Sequence, residues 1–195
     1  MIVSLKDGTV SKIGAPRRQL PNGLLEVIGP QELDDQIKRY AQLLSRELAG
    51  REVTFVPIMH GAAFIWQRLM RHVDESLPCR ERILVAQSYG DGRSGGPVRI
   101  HADWVTPEDV RGRDVVIIDD VLDTGRTIAE AVRCVRRLAP ASVSTLFMLR
   151  KAGRLGTDFT PDWVLFDIDD CWVVGAGLDD AGRFRHLPYV AEKPA

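Results

Sequence analysis

Runs of consecutive hydrophobic residues alternate along this chain with segments in which hydrophobic residues recur every three or four positions. The runs predict strands buried on both faces of a parallel sheet, and they cover residues 53–59, 83–87, 115–118 and 143–149. The recurring pattern is clearest from Gln31 to Leu48, where it predicts an amphipathic helix that Gly50 ends. Further helical patterns follow the first and third runs. This alternation of strands and helices favours an α/β fold.

The segment after the third run is the most informative part of the chain. Acidic residues close the predicted strand, a Thr-Gly-x-Thr sequence comes next, and a helical pattern then begins. The residues concerned are Asp119, Asp120, Asp123, Thr124, Gly125, Arg126 and Thr127. Ligands of open α/β sheets bind outside the carboxyl ends of the strands, and a helix N-terminus offers N–H groups to anions. Because glycine lets a phosphate approach the backbone closely, we expect a phosphate at the loop. The acidic pair should then meet hydroxyl groups or a cation, and a ribose 5-phosphate fits both.

Composition and charge narrow the classes of protein. The chain has 195 residues, 45% hydrophobic and 27% charged, with a formal net charge of -1, which gives no electrostatic reason to expect binding to nucleic acid or an anionic membrane. Three widely spaced cysteines, Cys79, Cys134 and Cys171, predict neither a disulfide framework nor a zinc site. The sequence also lacks a long apolar run and the plan of a signal peptide. We therefore expect a single cytoplasmic domain.

Two segments resemble the type I phosphoribosyltransferases. Residues 114–130 resemble the signature that binds phosphoribosyl pyrophosphate (PRPP), in which two acidic residues at a strand end precede D-T-G-x-T. Residues 163–190 resemble the base-binding hood of the hypoxanthine-guanine branch of that family. The matching hood positions are Phe166, Ile168, Asp170, Trp172, Val173, Val174, Gly175, Leu178, Asp179, Phe184 and Arg185. The resemblance implies a type I phosphoribosyltransferase fold, with a central, mostly parallel sheet flanked by helices. One domain would span 1–195, with an N-terminal extension over about 1–23 and a small hood built from about 160–190.

The resemblance also implies a reaction. The 5-phosphoribosyl group of PRPP would pass to a purine base similar to hypoxanthine or guanine, giving a nucleoside monophosphate and pyrophosphate in purine salvage. Asp119 and Asp120 would bind the ribose hydroxyl groups, directly or through Mg2+, and Asp123 would be the general base near the purine N7. Residues 124–127 would hold the 5-phosphate.

Other segments would complete the site by the same resemblance. His60 and Gly61, after the first strand, would contact pyrophosphate. Ser88 and Tyr89 would begin a glycine-rich lid over 88–97. In the hood, Trp172 would stack on the base and the Val173 backbone would read its edge, while Asp179 would hold Mg2+ on the pyrophosphate and Arg185 would contact the pyrophosphate. Family members form homodimers or homotetramers, so the expected partners are further copies of the chain, PRPP and a purine base.

Two positions depart from the family pattern. His60 stands where many members carry lysine, so a fixed charge becomes a titratable one. Cys171 stands where the resemblance places a lysine that donates to the purine 6-oxygen, and a thiol is only a weak donor. These departures leave two alternatives open. The protein could transfer the phosphoribosyl group to a different base, or it could be a non-catalytic regulator that binds PRPP.

Overall fold

A computed structural model of the chain describes residues 10–13, 18–88, 98–154 and 159–194. Eight strands form the larger sheet in the order β1-β9-β8-β7-β3-β5-β6, with β4 also paired to β3. Their bounds are β1 Ser11–Lys12, β3 Val53–Met59, β4 Cys79–Glu81, β5 Leu84–Ser88, β6 Val98–His101, β7 Asp114–Leu122, β8 Ser142–Lys151 and β9 Trp163–Ile168. Every pairing is parallel except that of β5 with β6. The predicted α/β fold with a mostly parallel sheet is confirmed.

Four helices accompany the sheet among the described residues. They are α1 Pro30–Glu47, α2 Ala63–Met70, α3 Pro107–Val110 and α4 Arg126–Arg136. Val116 and Ile118 of β7 pack in one hydrophobic core with residues of α1 and α2. Val115 and Ile117 of the same strand pack in a second core with residues of α4. Successive side chains of a strand point to opposite faces of its sheet, so the unbroken hydrophobic run reflects burial on both faces.

A smaller antiparallel sheet contains β10 Val173–Val174, β11 Val190–Glu192 and β2 Leu25–Ile28, with β11 in the middle. A strand from the first thirty residues of the chain therefore pairs with a strand from its last ten residues. Trp163–Ile168, which the resemblance had included in the hood, lies in the larger sheet as β9. The short elements β1, β4 and α3 have no pattern in the sequence that predicted them. No described helix has both the length and the apolar character that a membrane span requires.

Candidate active site

A cavity of about 300 Å³ lies at the carboxyl ends of β3 and β7. Its walls bring together most of the residues that the sequence predicted for the site. These are His60, Gly61, Asp119, Asp120, Asp123, Thr124, Gly125, Arg126, Thr127, Asp179 and Arg185. They come from segments up to 125 residues apart in the chain, between His60 and Arg185. The strands are parallel neighbours, so their ends lie at one edge of the sheet and their loops share a single opening.

The loop over residues 124–127, where we expected a phosphate, has a backbone geometry suited to binding an anion. Gly125 is the N-cap of α4, with φ 82° and ψ 0° in the left-handed region that glycine adopts most readily. As a glycine, this N-cap residue has no side chain that could accept a hydrogen bond from the first turn of the helix. The first N–H groups of a helix have no acceptor inside the helix, so the amides of the first turn of α4 are suited to donate to an anion in the cavity.

Two neighbouring carboxylates lie beside that loop. The Asp120 amide donates to Asp119 Oδ1 at 3.0 Å, and the Val121 amide donates to Asp120 Oδ1 at 2.7 Å. Burial, together with the charge of Asp120, raises the pKa of Asp119 well above its usual range. Burial also raises the pKa of Asp120. A ligand that donates hydrogen bonds or carries positive charge would stabilise the ionised pair, as the sequence reasoning required.

The loop after β3 touches this acidic pair through a position without a side chain. A Cβ atom built on Gly61 would lie 1.8 Å from Asp120 Oδ2. The preceding Met59–His60 peptide bond is cis, and the His60 side chain is exposed. Gly61 therefore lets the Asp120 carboxylate lie directly against the backbone of this loop.

Asp179 and Arg185 form an ion pair at the side of the cavity that faces the smaller sheet. The Arg185 guanidinium lies 2.5 Å from Asp179 Oδ1 and also donates to the Gly177 carbonyl oxygen at 2.5 Å. The other Asp179 oxygen accepts from the Gly182 amide at 2.7 Å. Both oxygens of the predicted metal ligand are thus engaged by the protein. No group of three or more His, Cys, Asp or Glu residues in the described part of the chain is arranged to hold a metal ion.

Two basic residues that the sequence analysis left out of the site, Arg154 and Lys151, lie beside Asp123. Arg154 Nε donates to Asp123 Oδ1 at 2.8 Å. Lys151 Nζ lies 3.8 Å from Asp123 and 3.7 Å from Asp170, and the Lys151 side chain is only 10% exposed. Arg154 also lies 3.5 Å from Asp170. The sequence did hold a signal for Lys151, because a basic residue at the end of a buried strand lies at the same sheet edge as the acidic pair.

The hood residues expected to contact the base, Cys171, Trp172 and Val173, are not part of the cavity lining, unlike Asp179 and Arg185. Trp172 is 46% exposed, Val173 is buried in β10, and Cys171 is partly buried against the larger core. Asp170, which directly precedes Cys171, connects them to Lys151 and Arg154. Ser88 ends β5. Tyr89 and the rest of the predicted lid through residue 97 lie outside the described residues.

Comparisons with known proteins agree with this geometry. Residues 29–181 match the family described as phosphoribosyl transferase domain. The hypoxanthine phosphoribosyltransferase of Salmonella typhimurium is 35% identical over 145 residues, which is 74% of this chain and 79% of that protein. The hypoxanthine-guanine phosphoribosyltransferase of Bacillus subtilis is 32% identical over 171 residues, covering 87% of this chain and 93% of the relative.

Longer proteins and solved structures are also similar. The bifunctional protein TilS/HprT of Listeria monocytogenes is 33% identical over 165 residues, and the chain spans 25% of its length. A crystal structure of a hypoxanthine-guanine phosphoribosyltransferase from Bacillus anthracis has a TM-score of 0.79 at 25% identity, covering 87% of this chain and 98% of that chain. The similarity therefore extends over nearly the whole described fold.

Proposed function

The chain belongs to the phosphoribosyltransferase family, and we propose that it transfers the 5-phosphoribosyl group of PRPP to a 6-oxopurine base. The products are a nucleoside monophosphate and pyrophosphate, which is a purine salvage reaction. One observation carries this proposal. An acidic pair and the N-terminus of a helix, whose N-cap has no side chain, open onto the same cavity. Asp119 and Asp120 lie on the strand that leads directly into the loop before α4. A ligand with vicinal hydroxyl groups and a terminal phosphate fits both features at once.

We assign the 5-phosphate to the amides and hydroxyl groups of residues 124–127, and the ribose hydroxyl groups to Asp119 and Asp120. The pyrophosphate then lies towards His60, Gly61 and Arg185, which line the same cavity. Arg185 supplies fixed positive charge where negative charge develops as the bond from C1 to pyrophosphate breaks. The exposed His60 adds a second donor beside the Gly61 backbone.

The acidic residues also fit Mg2+, provided that the substrate completes its coordination. Mg2+ is commonly held by one or two carboxylates, together with waters and substrate phosphate oxygens. Asp119 and Asp120 would hold it, since both line the cavity and a cation there would stabilise the ionised forms of two carboxyl groups whose pKa values burial raises. Asp179 would contribute after exchanging its contact with Arg185. When bound, the ion would neutralise charge on the departing pyrophosphate.

Asp123 is the proposed general base. It lies near the purine N7 and accepts the proton that the base loses as its other five-membered-ring nitrogen attacks C1. Lys151, whose ammonium lies 3.8 Å from this carboxylate, is the proposed donor to the 6-oxygen of the purine. An almost buried ammonium offers a stronger hydrogen bond than a thiol. Lys151 therefore supplies the cationic donor that residue 171 lacks, and it favours 6-oxopurines over adenine. Trp172 stacks on the base and the Val173 backbone contacts its edge.

We place this activity in the cytoplasm, in a single-domain chain that forms homodimers or homotetramers. The partly buried cysteines are all unpaired, which agrees with a reducing compartment. The formal net charge of -1 supports small-molecule substrates rather than nucleic acid or an anionic membrane.

The test measures pyrophosphate release from PRPP and Mg2+ with hypoxanthine, guanine, xanthine or adenine. We expect turnover with hypoxanthine and guanine and little with adenine. Asp123→Asn should reduce turnover by about 10²- to 10⁴-fold, the usual contribution of a general base, and should bind PRPP as well as the unmodified chain does in calorimetry. Binding of PRPP without turnover of any base would identify a regulator. Turnover of adenine alone would identify a transferase for a different base.

A further inference from the structure

Two residues next to the smaller sheet, Lys193 and Asp180, contact Trp172 and each other. The Lys193 amide donates to the Trp172 carbonyl oxygen at 2.9 Å. The Lys193 ammonium donates to Asp180 Oδ2 at 2.5 Å. Contacts with the Lys193 ammonium and with the Trp172 side chain lower the pKa of the Asp180 carboxyl group. Both the backbone and the indole ring of Trp172 are therefore tied, through Lys193 and Asp180, to the strand at the end of the chain.

The Asp180 carboxylate is not needed to stabilise its own turn, because other groups make the hydrogen bonds there. Backbone hydrogen bonds close the turn, from the Asp180 amide to the Arg183 carbonyl oxygen at 3.2 Å and from the Arg183 amide to the Asp180 carbonyl oxygen at 3.0 Å. The adjacent Asp179 carboxylate is directed to Arg185 and the Gly182 amide. The two consecutive carboxylates thus serve different purposes. The Asp179 carboxylate lines the cavity, whereas the Asp180 carboxylate contacts Trp172.

An exposed ring without such a restraint would populate several rotamers. Trp172 is 46% exposed, so packing alone does not fix its orientation. A side chain that becomes ordered only when the ligand binds lowers the affinity, because the entropy that it loses makes the free energy of binding less favourable. The indole N–H gives tryptophan a polar contact point that phenylalanine lacks, and Asp180 occupies it.

We propose that Asp180, held by Lys193, is a positioning residue for the purine base and fixes the Trp172 ring before the base binds. This inference rests on the proposed function, in which Trp172 stacks on the base. The contact lies on the hood and touches none of the groups assigned to PRPP. Asp180 therefore acts on the affinity for the base, rather than on the sugar or on the bond-breaking step.

Steady-state kinetics with saturating PRPP separate these effects. Asp180→Ala should raise the KM for hypoxanthine by about fivefold, as expected when one large side chain must be ordered on binding, and should leave kcat and the KM for PRPP nearly unchanged. Asp180→Asn keeps an acceptor for the indole N–H and should recover most of the loss. In a Trp172→Phe background, which has no indole N–H, Asp180→Ala should add nothing further. An equal rise in KM in both backgrounds would overturn the proposal.

Nuclear magnetic resonance gives a readout that does not depend on activity. The indole N–H resonance of Trp172 is the one missing from the ¹⁵N spectrum of Trp172→Phe. It should shift in Asp180→Ala and move much less in Asp180→Asn, with the other tryptophan indole resonances unchanged as evidence of an intact fold. An unmoved Trp172 resonance in Asp180→Ala would overturn the positioning contact itself. A moved resonance with an unchanged KM would instead overturn the stacking role of Trp172 in the proposed function.

Discussion

Gly61 has no side chain, and the Asp120 carboxylate occupies the space where one would lie. Because a Cβ atom there would be 1.8 Å from Asp120 Oδ2, Gly61→Ala must displace the carboxylate or the loop. A displacement of about 1 Å in a positioned group can cost about 10²-fold in rate, so we expect a loss of that order in kcat/KM for PRPP. Gly29→Ala is the matched control, since the atoms nearest to a Cβ atom added at Gly29 lie 3.9 Å away. Equal activity in the two variants would contradict this account of the loop.

Either Lys151 or the residue at position 171 could determine which base the protein prefers, and substitutions at the two positions distinguish these explanations. Lys151→Gln should lower kcat/KM for hypoxanthine by about 10-fold or more, because a charged hydrogen bond contributes about 1.5–3 kcal/mol, and should narrow the preference over adenine. Cys171→Ala should leave that preference unchanged. Competition assays with the two bases measure it directly. A change in preference only in Cys171→Ala would instead make residue 171 the discriminating position.

Asp109 shows how one side chain fixes a whole element. Its Oδ2 accepts from the amide and the hydroxyl group of Thr106 at the start of α3, while Oδ1 lies 2.6 Å from the Arg82 guanidinium that precedes β5. Arg82 and Thr106 together hold the pKa of Asp109 well below its usual range. The four-residue helix, which has no periodic pattern of its own, is thereby joined to the segment that enters the larger sheet.

Asp109→Asn should consequently destabilise the chain by about 1–3 kcal/mol at pH 7, the scale of hydrogen bonds to a charged group. The pKa is lower in the folded than in the unfolded chain, so the contribution is complete above the ordinary value of 3.8 and is lost as the pH falls towards the folded value. Urea unfolding from pH 7 to pH 3 should show the difference shrinking below about pH 4.5. A difference that grows as the pH falls would contradict this sign.

At the scale of the whole molecule, the smaller sheet and the larger sheet meet at a second glycine. A Cβ atom on Gly177, which has φ +95°, would lie 2.3 Å from the Gly61 carbonyl oxygen and 3.1 Å from Phe64 Cβ. The carbonyl oxygen of Gly177 itself accepts a hydrogen bond from Arg185. This close contact places the hood against the loop that we assign to pyrophosphate, so we expect it to couple the two halves of the site.

Gly177→Ala should therefore weaken the binding of both substrates, because it separates the hood from the larger sheet. Gly112→Ala is the control, since Gly112 also has a positive φ, +69°, but nothing within 4 Å of an added Cβ. Both variants carry the backbone strain of about 1–2 kcal/mol for a left-handed residue, and thermal unfolding should show it. Calorimetry with PRPP and KM measurements for the base should change only in Gly177→Ala. Weakening of one substrate alone would mean that the contact does not couple the two sheets.

Much of the fold and of the sugar-phosphate site followed from local patterns. The hydrophobic run of β7, the acidic pair and the glycine loop are consecutive residues, and their backbone geometry depends on near neighbours. The strand predicted over 115–118 was therefore found as Asp114–Leu122, which extends beyond the predicted end so that Asp119 and Asp120 lie within it, and the helix predicted after Gly125 was found as Arg126–Arg136.

The sequence by itself determined the alternation of strands and helices, the position of the glycine loop before α4 and the acidic side chains beside it, because periodicity and turn chemistry act over a few residues. Only the tertiary structure decided that Lys151 and Arg154 contact Asp123, that Asp179 pairs with Arg185, and that Leu25–Ile28 joins Val190–Glu192 in the smaller sheet. Such contacts depend on which strand ends meet at one edge and on how the chain returns to itself. Local sequence patterns do not specify which distant residues come into contact.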